Sequence, residues 1–336
     1  MGGSSIKRTR IEKILTIVVP MYNVERYIDQ CLASFLVPEV MEELEVLVID
    51  DGGQDRSAEI AKSYEAKYPK TYRVIHKENG GHGSTINRGL EEASGQYFRV
   101  VDGDDWVDRD GLLHFIRHLE ETEADMVLSN YYWVDHVSGK QKAEVAEICP
   151  GITYGVTYAF EDVAEQIFMK MHAITYKTTV IRGQPERLDE HCFYVDTEYM
   201  LFPLPYVKTV SAVPDFVYQY RIGLPGQSMS AEKLQKQCSQ HEHVLNRLLD
   251  FYRQHQDAPC RRILEKTLAR IVTSQYKIYL MLSGNQKERM TSLENRLREE
   301  FPNVYHQVTN PAVLFLRRTR YLFFGVVSWM TRRRFC

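Results

Sequence analysis

Short apolar runs alternate with longer segments of helical spacing through the first 130 residues. Residues 14–19, 44–49, 72–76, 97–101 and 126–129 read as strands, rich in Val, Ile, Leu and Tyr, and the first is expected to stop at Pro20. Between them, residues 25–36 place Ile28, Cys31, Leu32, Phe35 and Leu36 on one helical face. Residues 55–67, 84–93 and 109–121 read as further helices, the first with Asp55 as its N-cap. Regular alternation of this kind predicts an α/β fold: a mostly parallel sheet with helices on both faces. In such sheets ligands sit beyond the carboxyl ends of the strands.

The periodicity weakens after residue 130. Residues 131–230 read as an irregular α+β region that completes the site. Residues 231–310 read as a helical extension, with Leu245, Leu248, Leu249 and Tyr252 on one face and Ile271, Gln275, Ile278 and Leu282 on another. Residues 1–13 form a small, polar, basic extension ahead of the nucleotide-binding half at 14–130. Nothing in that extension marks the chain for secretion.

The chain has 336 residues, 44% hydrophobic and 26% charged, which is ordinary globular composition. The formal net charge of -3 gives no electrostatic footprint for nucleic acid, and no nucleic-acid partner is expected. Six scattered cysteines without paired spacing exclude a zinc or disulfide framework and fit a reducing cytosol. The tail at 311–336 has six arginines and no acid. Its apolar runs are too short to cross a bilayer. Two readings remain open, a helix in the interface of an anionic membrane and a helix docked on the body of the protein. The first places the chain in the cytoplasm, peripherally on the inner face of the cytoplasmic membrane.

A polar motif follows each of the first four strands: Pro20-Met21-Tyr22-Asn23, Asp50-Asp51-Gly52-Gly53, Asn79-Gly80-Gly81-His82-Gly83 and Asp102-Gly103-Asp104-Asp105. Packed carboxylates repel one another unless a cation neutralises them. Hard divalent ions such as Mn²⁺ or Mg²⁺ prefer oxygen ligands. This cluster therefore points to metal-assisted chemistry on a phosphate-bearing substrate. Tyr22 can cover a base ring, and glycines let backbone amides approach phosphate closely.

Together and in this order, the four motifs resemble the inverting family 2 glycosyltransferases, nucleotide-sugar enzymes of the GT-A fold. The resemblance covers residues 14–130 well and reaches 230 more loosely. It implies a bacterial surface-polysaccharide enzyme that uses a nucleotide-sugar donor, a UDP-sugar, and a saccharide or lipid-linked acceptor. Pro20 and Tyr22 would line the nucleobase pocket. Asp51 would bind uracil or ribose, and Asn79 would lie near the ribose and diphosphate. Asp102, Gly103 and Asp104 match the acidic D-x-D motif, with Asp102 and Asp104 as metal ligands. Asp196 matches the catalytic base. Gly53 and Gln54 stand where the family usually has Ser and Thr, which bears on donor preference. Residues 226–230 match a loop near the diphosphate.

Alternatives remain at several positions. Glu198, Asp189 and Glu190 compete with Asp196 as the base. Arg221 either neutralises phosphate or forms a surface ion pair, and Trp106 either touches acceptor or packs under its loop. His82 reads better as a hydrogen-bonded loop residue than as a catalyst. Nucleotidyl transfer would need a Gly-rich, Arg-bearing loop after the first strand, which is absent, as are a P-loop and a dinucleotide fingerprint. An inactive membrane-bound scaffold on the same fold is the non-enzymatic alternative.

Overall fold

A computed structural model describes residues 13–224, 236–284 and 286–335. The N-terminal extension up to residue 12 and the loop expected at 226–230 lie outside them. The chain divides into two compact units, Met1–His191 with Tyr206–Ile222, and Cys192–Pro205 with Gly223–Cys336.

The first unit is built on one sheet. Its strands are β1 (Leu15–Met21), β2 (Leu44–Asp50), β3 (Tyr72–His76), β4 (Tyr97–Val100), β5 (Trp106–Val107), β6 (Met126–Asp135), β7 (Gln141–Ala143), β8 (Tyr158–Ala159), β9 (Ile174–Lys177) and β10 (Thr209–Ile222). The spatial order is β3-β2-β1-β4-β9-β6-β10-β5, with β7 on β6 and β8 on β10. The block β3-β2-β1-β4 is parallel throughout. β1 and β2 are buried, mostly apolar runs because helices cover the sheet, whereas the edge strand β3 exposes Arg73 and His76. Those helices are α1 (Ile28–Ser34), α2 (Ser57–Lys67), α3 (His82–Glu92) and α4 (Arg109–Glu121).

Two local expectations are corrected. β1 runs through Pro20 to Met21. The Pro20 carbonyl accepts from Gly103 N at 3.2 Å, on the side where β4 has already ended, so the missing proline N–H costs no ladder bond. Asp55 is not the N-cap of α2, because Arg56 holds that position. Asp55 instead accepts from Ser57 N at 3.0 Å and Glu25 N at 2.9 Å, tying α2 to the loop after β1.

The region read as irregular is more regular than its sequence pattern. β9 inserts antiparallel between β4 and β6. β10 pairs in parallel with β6, with register shifts between Ala212 and Tyr218. Pro214 lies within that stretch, and a bulge is where a strand tolerates proline. Its carbonyl is used by Asn130 Nδ2 at 2.9 Å. Short helices α5 (Phe160–Val163) and α6 (Thr178–Gly183) complete the unit.

The second unit contains α7 (Asp196–Leu201), α8 (Cys238–Gln254), α9 (Arg261–Met281), α10 (Gln286–Glu300), α11 (Pro302–Gln307), α12 (Pro311–Arg318) and α13 (Phe324–Phe335). The expected faces of α8 and α9 are buried except at Leu282, which is half-buried and caps α9 beyond its end at Met281. Gln275 is buried among them because it pairs with His241 at 2.6 Å. Among the described residues no helix is long and apolar enough to cross a membrane.

Candidate active site at the strand ends

Parallel pairing gathers the four motifs at one rim. Met21 is in register with Asp50, and Asp50 with His76. The chain therefore leaves β1, β2 and β3 on one row, at Tyr22, Asp51 and Lys77. The loop after β4 joins them through the Gly103–Pro20 hydrogen bond. Gly103 allows this approach, since a Cβ there would stand 2.9 Å from the Pro20 carbonyl oxygen and 3.2 Å from Val24 Cγ2. Tyr22 is 51% exposed at the rim.

Asp51 is buried and holds the Gly-rich loop. Its Oδ1 accepts from Lys77 Nζ at 2.8 Å and Gly80 N at 2.9 Å. Its Oδ2 accepts from Gly81 N at 2.8 Å and Asn79 Nδ2 at 3.1 Å. Gly81 has φ +82°, a conformation open to glycine at little cost. The amides of Gly80 and Gly81, expected to meet phosphate, are thus committed to Asp51. The substitutions at Gly53 and Gln54 leave backbone contacts in place: Gly53 N donates to Asp50 Oδ1 at 3.1 Å and Gln54 N to Asn23 Oδ1 at 2.8 Å.

The acidic loop is anchored from below. Asp105 is buried, with Oδ2 accepting from the Tyr218 hydroxyl at 2.6 Å and Oδ1 from Arg221 N at 2.7 Å. Tyr218 oxygen in turn accepts from Asp102 N at 3.1 Å. Burial and the Asp104 and Asp102 carboxylates push the Asp105 carboxyl well above its ordinary range. Asp104 rises to about 6, through burial first and Asp102 second. For Asp102, burial works upward, but the His82 imidazole 2.8 Å away outweighs it and the carboxyl lies below its usual range. His82 is hydrogen-bonded as expected, but it opens α3 rather than lying in a loop.

Arg221 does not stand at the surface as an ion pair there would. It is 8% exposed. Its Nε donates to the Asp104 carbonyl at 2.8 Å and its Nη2 to Gln30 Oε1 at 2.7 Å. Its guanidinium lies 4.5 Å from the Trp106 ring and 5.0 Å from the Tyr27 ring. Trp106 is half-buried and packs on Arg221.

His172, not singled out in the sequence, stands beside the acids. Asp102, Asp105 and His172 each offer a ligand atom, all within 4.8 Å of one another. Asp104 is not one of that trio. Among the described residues, the buried His172 Nδ1 has no hydrogen-bond partner. Its ring stacks on Tyr220 at 4.2 Å, and its carbonyl accepts from Arg99 Nη2 at 2.5 Å. Burial lowers its pKa to about 3, so the imidazole is neutral and able to ligate. An orphaned neutral imidazole nitrogen among carboxylates fits a divalent cation.

Residues 16–177 match the family model described as Glycosyl transferase family 2. That segment, just under half of the chain, is similar to glycosyltransferase family 2. Relatives within reach include EpsH of Bacillus subtilis strain 168, a protein named for glycosyl transfer. It is 28% identical over 224 residues, which cover 62% of this chain and 61% of EpsH. Glycosyltransferase GlyG of Streptococcus pneumoniae is 30% identical over 168 residues, covering 50% of this chain and 52% of GlyG. The match thus spans little more than half the length of these relatives. Among solved structures, Staphylococcus aureus TarS 1–349 in complex with UDP-GlcNAc superposes with a TM-score of 0.68 at 17% identity. The match covers 95% of this chain and 92% of that one. At that identity the likeness speaks for the fold, and it is the GT-A fold expected.

Of the candidate bases, Asp196 and Glu198 belong to the second unit and Asp189 and Glu190 to the first. Asp196 opens α7 and is half-buried. Glu198 is fully buried and paired with Arg247 at 2.8 Å. Of the two upstream acids, Glu190 accepts from Asn87 Nδ2 at 3.2 Å.

Proposed function

We propose that this chain moves a sugar from a nucleotide diphosphate donor, a UDP-sugar, to an acceptor hydroxyl, with inversion at the anomeric carbon. The acceptor is a lipid-linked or polysaccharide hydroxyl in surface-glycan synthesis. One observation carries the reading: Asp102, Asp105 and His172 converge at the rim where Asp51 holds the Asn79–Gly81 loop. The complex of TarS with UDP-GlcNAc supports a uridine donor. A relative in Bacillus spizizenii named poly(ribitol-phosphate) beta-glucosyltransferase, 26% identical over 224 residues, supports a surface-glycan acceptor.

Pro20 and Tyr22 take the nucleobase, Tyr22 covering its face. Asp51 acts through the loop it holds, presenting Asn79 to the ribose and diphosphate, and Gly103 lets the acidic loop close on Pro20. A Mn²⁺ or Mg²⁺ ion held by Asp102 and Asp104, with Asp105 and His172 as further donors, would neutralise charge growing on the departing diphosphate. Asp196 takes the acceptor proton as the hydroxyl oxygen attacks the anomeric carbon. The bond from that carbon to the diphosphate oxygen breaks as the new one forms, and its electron pair leaves with the diphosphate. The burial and ion pairing of Glu198 support Asp196 over it as the base.

The test is UDP release from UDP-glucose, UDP-galactose and their N-acetyl counterparts, with Mn²⁺ or with chelator. Turnover of one donor is expected, dependent on metal. Asp196→Asn is expected to lower it by at least ~100-fold, the scale of a lost general base. Absence of turnover with every donor would leave the scaffold reading, and turnover unchanged by chelator or by the variant would overturn the roles given to the metal and to Asp196.

A further inference from the structure

Helices α12 and α13 dock on the second unit in an unusual orientation. α13 turns Ser328 inward, its hydroxyl donating to the Leu280 carbonyl at 2.7 Å, and Ser328 is buried. The opposite stripe is Val326, Trp329, Met330 and Arg333. That is the i, i+3, i+4, i+7 spacing which ordinarily faces a core. Here its apolar members are 55%, 52% and 59% exposed. The Arg333 guanidinium sits 4.2 Å from the Trp329 ring centroid.

α12 contributes to the same surface. It docks through buried Val313 and Leu316, and through Arg317, which donates to Glu294 from Nη2 at 2.7 Å. Leu314 and Phe315 are left outside. A built reversal follows, with Arg320 and Tyr321 at φ 48° and 62° and Tyr321 N donating to the Leu316 carbonyl at 2.8 Å. It turns Leu322, 79% exposed, and Phe323 outward. The Phe315 and Phe323 rings are 5.7 Å apart, joining the apolar surfaces of the two segments.

An exposed apolar patch of this kind marks an interaction surface, and its charge selects the partner. Residues 311–336 hold six arginines and no carboxylate side chain. Arg318, Arg320, Arg332 and Arg333 are exposed. A second copy brought face to face would set arginine against arginine, with no acid of that segment to relieve the repulsion. An anionic bilayer interface accepts both features, aromatic and aliphatic side chains below the headgroups and guanidinium groups among the phosphates.

We propose that this surface docks the chain peripherally on an anionic phospholipid bilayer. The proposal joins the two readings of the tail: the helices pack within the second unit and carry the membrane face outward. The inference uses none of the strand-end residues and is independent of the glycosyl-transfer reading.

The test is flotation of the full chain with vesicles of phosphatidylglycerol and phosphatidylcholine, and with phosphatidylcholine alone. Recovery with the anionic vesicles only, reduced by salt, is expected. The triple variant Leu322→Ser, Trp329→Ser, Met330→Ser is expected to lose at least ~10-fold in partitioning. Arg318→Gln and Arg333→Gln are each expected to lose roughly fivefold. If the triple variant melts early, the single Leu322→Ser and Arg318→Gln variants decide. Three results would overturn the proposal: no recovery with anionic vesicles, recovery unchanged in the variants, or a dimer in solution that the triple variant abolishes.

Discussion

The backbone amide of Arg221 donates to Asp105 Oδ1 at 2.7 Å, joining residues 116 positions apart in the chain. The end of β10 is thereby tied under the acidic loop that follows β4. The side chain repeats the tie, with Nε on the Asp104 carbonyl and the guanidinium between Trp106 and Tyr27. Arg221 is the fastener that holds three carboxylates at the rim.

Lysine cannot reproduce that arrangement, because an ammonium lacks the planar fork that stacks and donates in two directions. Arg221→Lys is expected to destabilise the chain by about 1–3 kcal/mol, the scale of a buried hydrogen-bonded group left unpaired. Urea denaturation of both proteins measures it.

Asp51→Asn puts an amide where Lys77, Asn79, Gly80 and Gly81 all donate. One oxygen becomes a donor facing donors, and the partner of Lys77 is lost. The expected cost is about 2–4 kcal/mol, the range for a broken buried charge pair and its unpaired donors. UDP binding should weaken with it, while Asn79→Ala should weaken UDP binding with a smaller change in stability. Thermal melts and UDP titration on both variants separate holding the loop from touching the donor.

Gly103→Ala forces a methyl to within 2.9 Å of the Pro20 carbonyl oxygen, a backbone atom that cannot swing away. A loss of about 1–3 kcal/mol is expected from overpacking. Hydrogen exchange should show faster opening of the Gly103 amide, with the β1–β2 ladder unchanged.

The Asp104 carboxyl, raised to about 6 by burial and by Asp102, gives a pH signature in the metal-free chain. Between pH 4 and pH 6 the folded state holds a proton that the unfolded state has released. Its contribution to stability is therefore full below the ordinary carboxylate range and falls as pH rises through about 6. The difference between wild type and Asp104→Asn, followed by urea denaturation across this window, should show that decline. A difference independent of pH would refute it.

The parallel half of the fold was legible because each of its elements carries its own local period. Residues 109–121 form α4 and residues 72–76 form β3, as their patterns predict. The β9 insertion and the long reach of β10 were not legible, since pairing across the sheet leaves no local trace and Pro214 breaks the pattern. At the site, contiguous acids announced themselves. His172 did not: it precedes a short strand among apolar neighbours, and only the fold brings it to Asp102. Arg221 was visible as a residue, but its role depends on the distant Asp105 and Trp106.

The central claim is that the strand-end carboxylates hold a divalent ion against a nucleotide diphosphate. Calorimetric titration of UDP into wild type and Asp102→Asn, each with Mn²⁺ and with chelator, tests it most directly. Wild type should bind UDP at least ~10-fold more tightly with Mn²⁺, about 1.4 kcal/mol, and the variant should show no such gain. Equal UDP affinity under all four conditions would contradict the account.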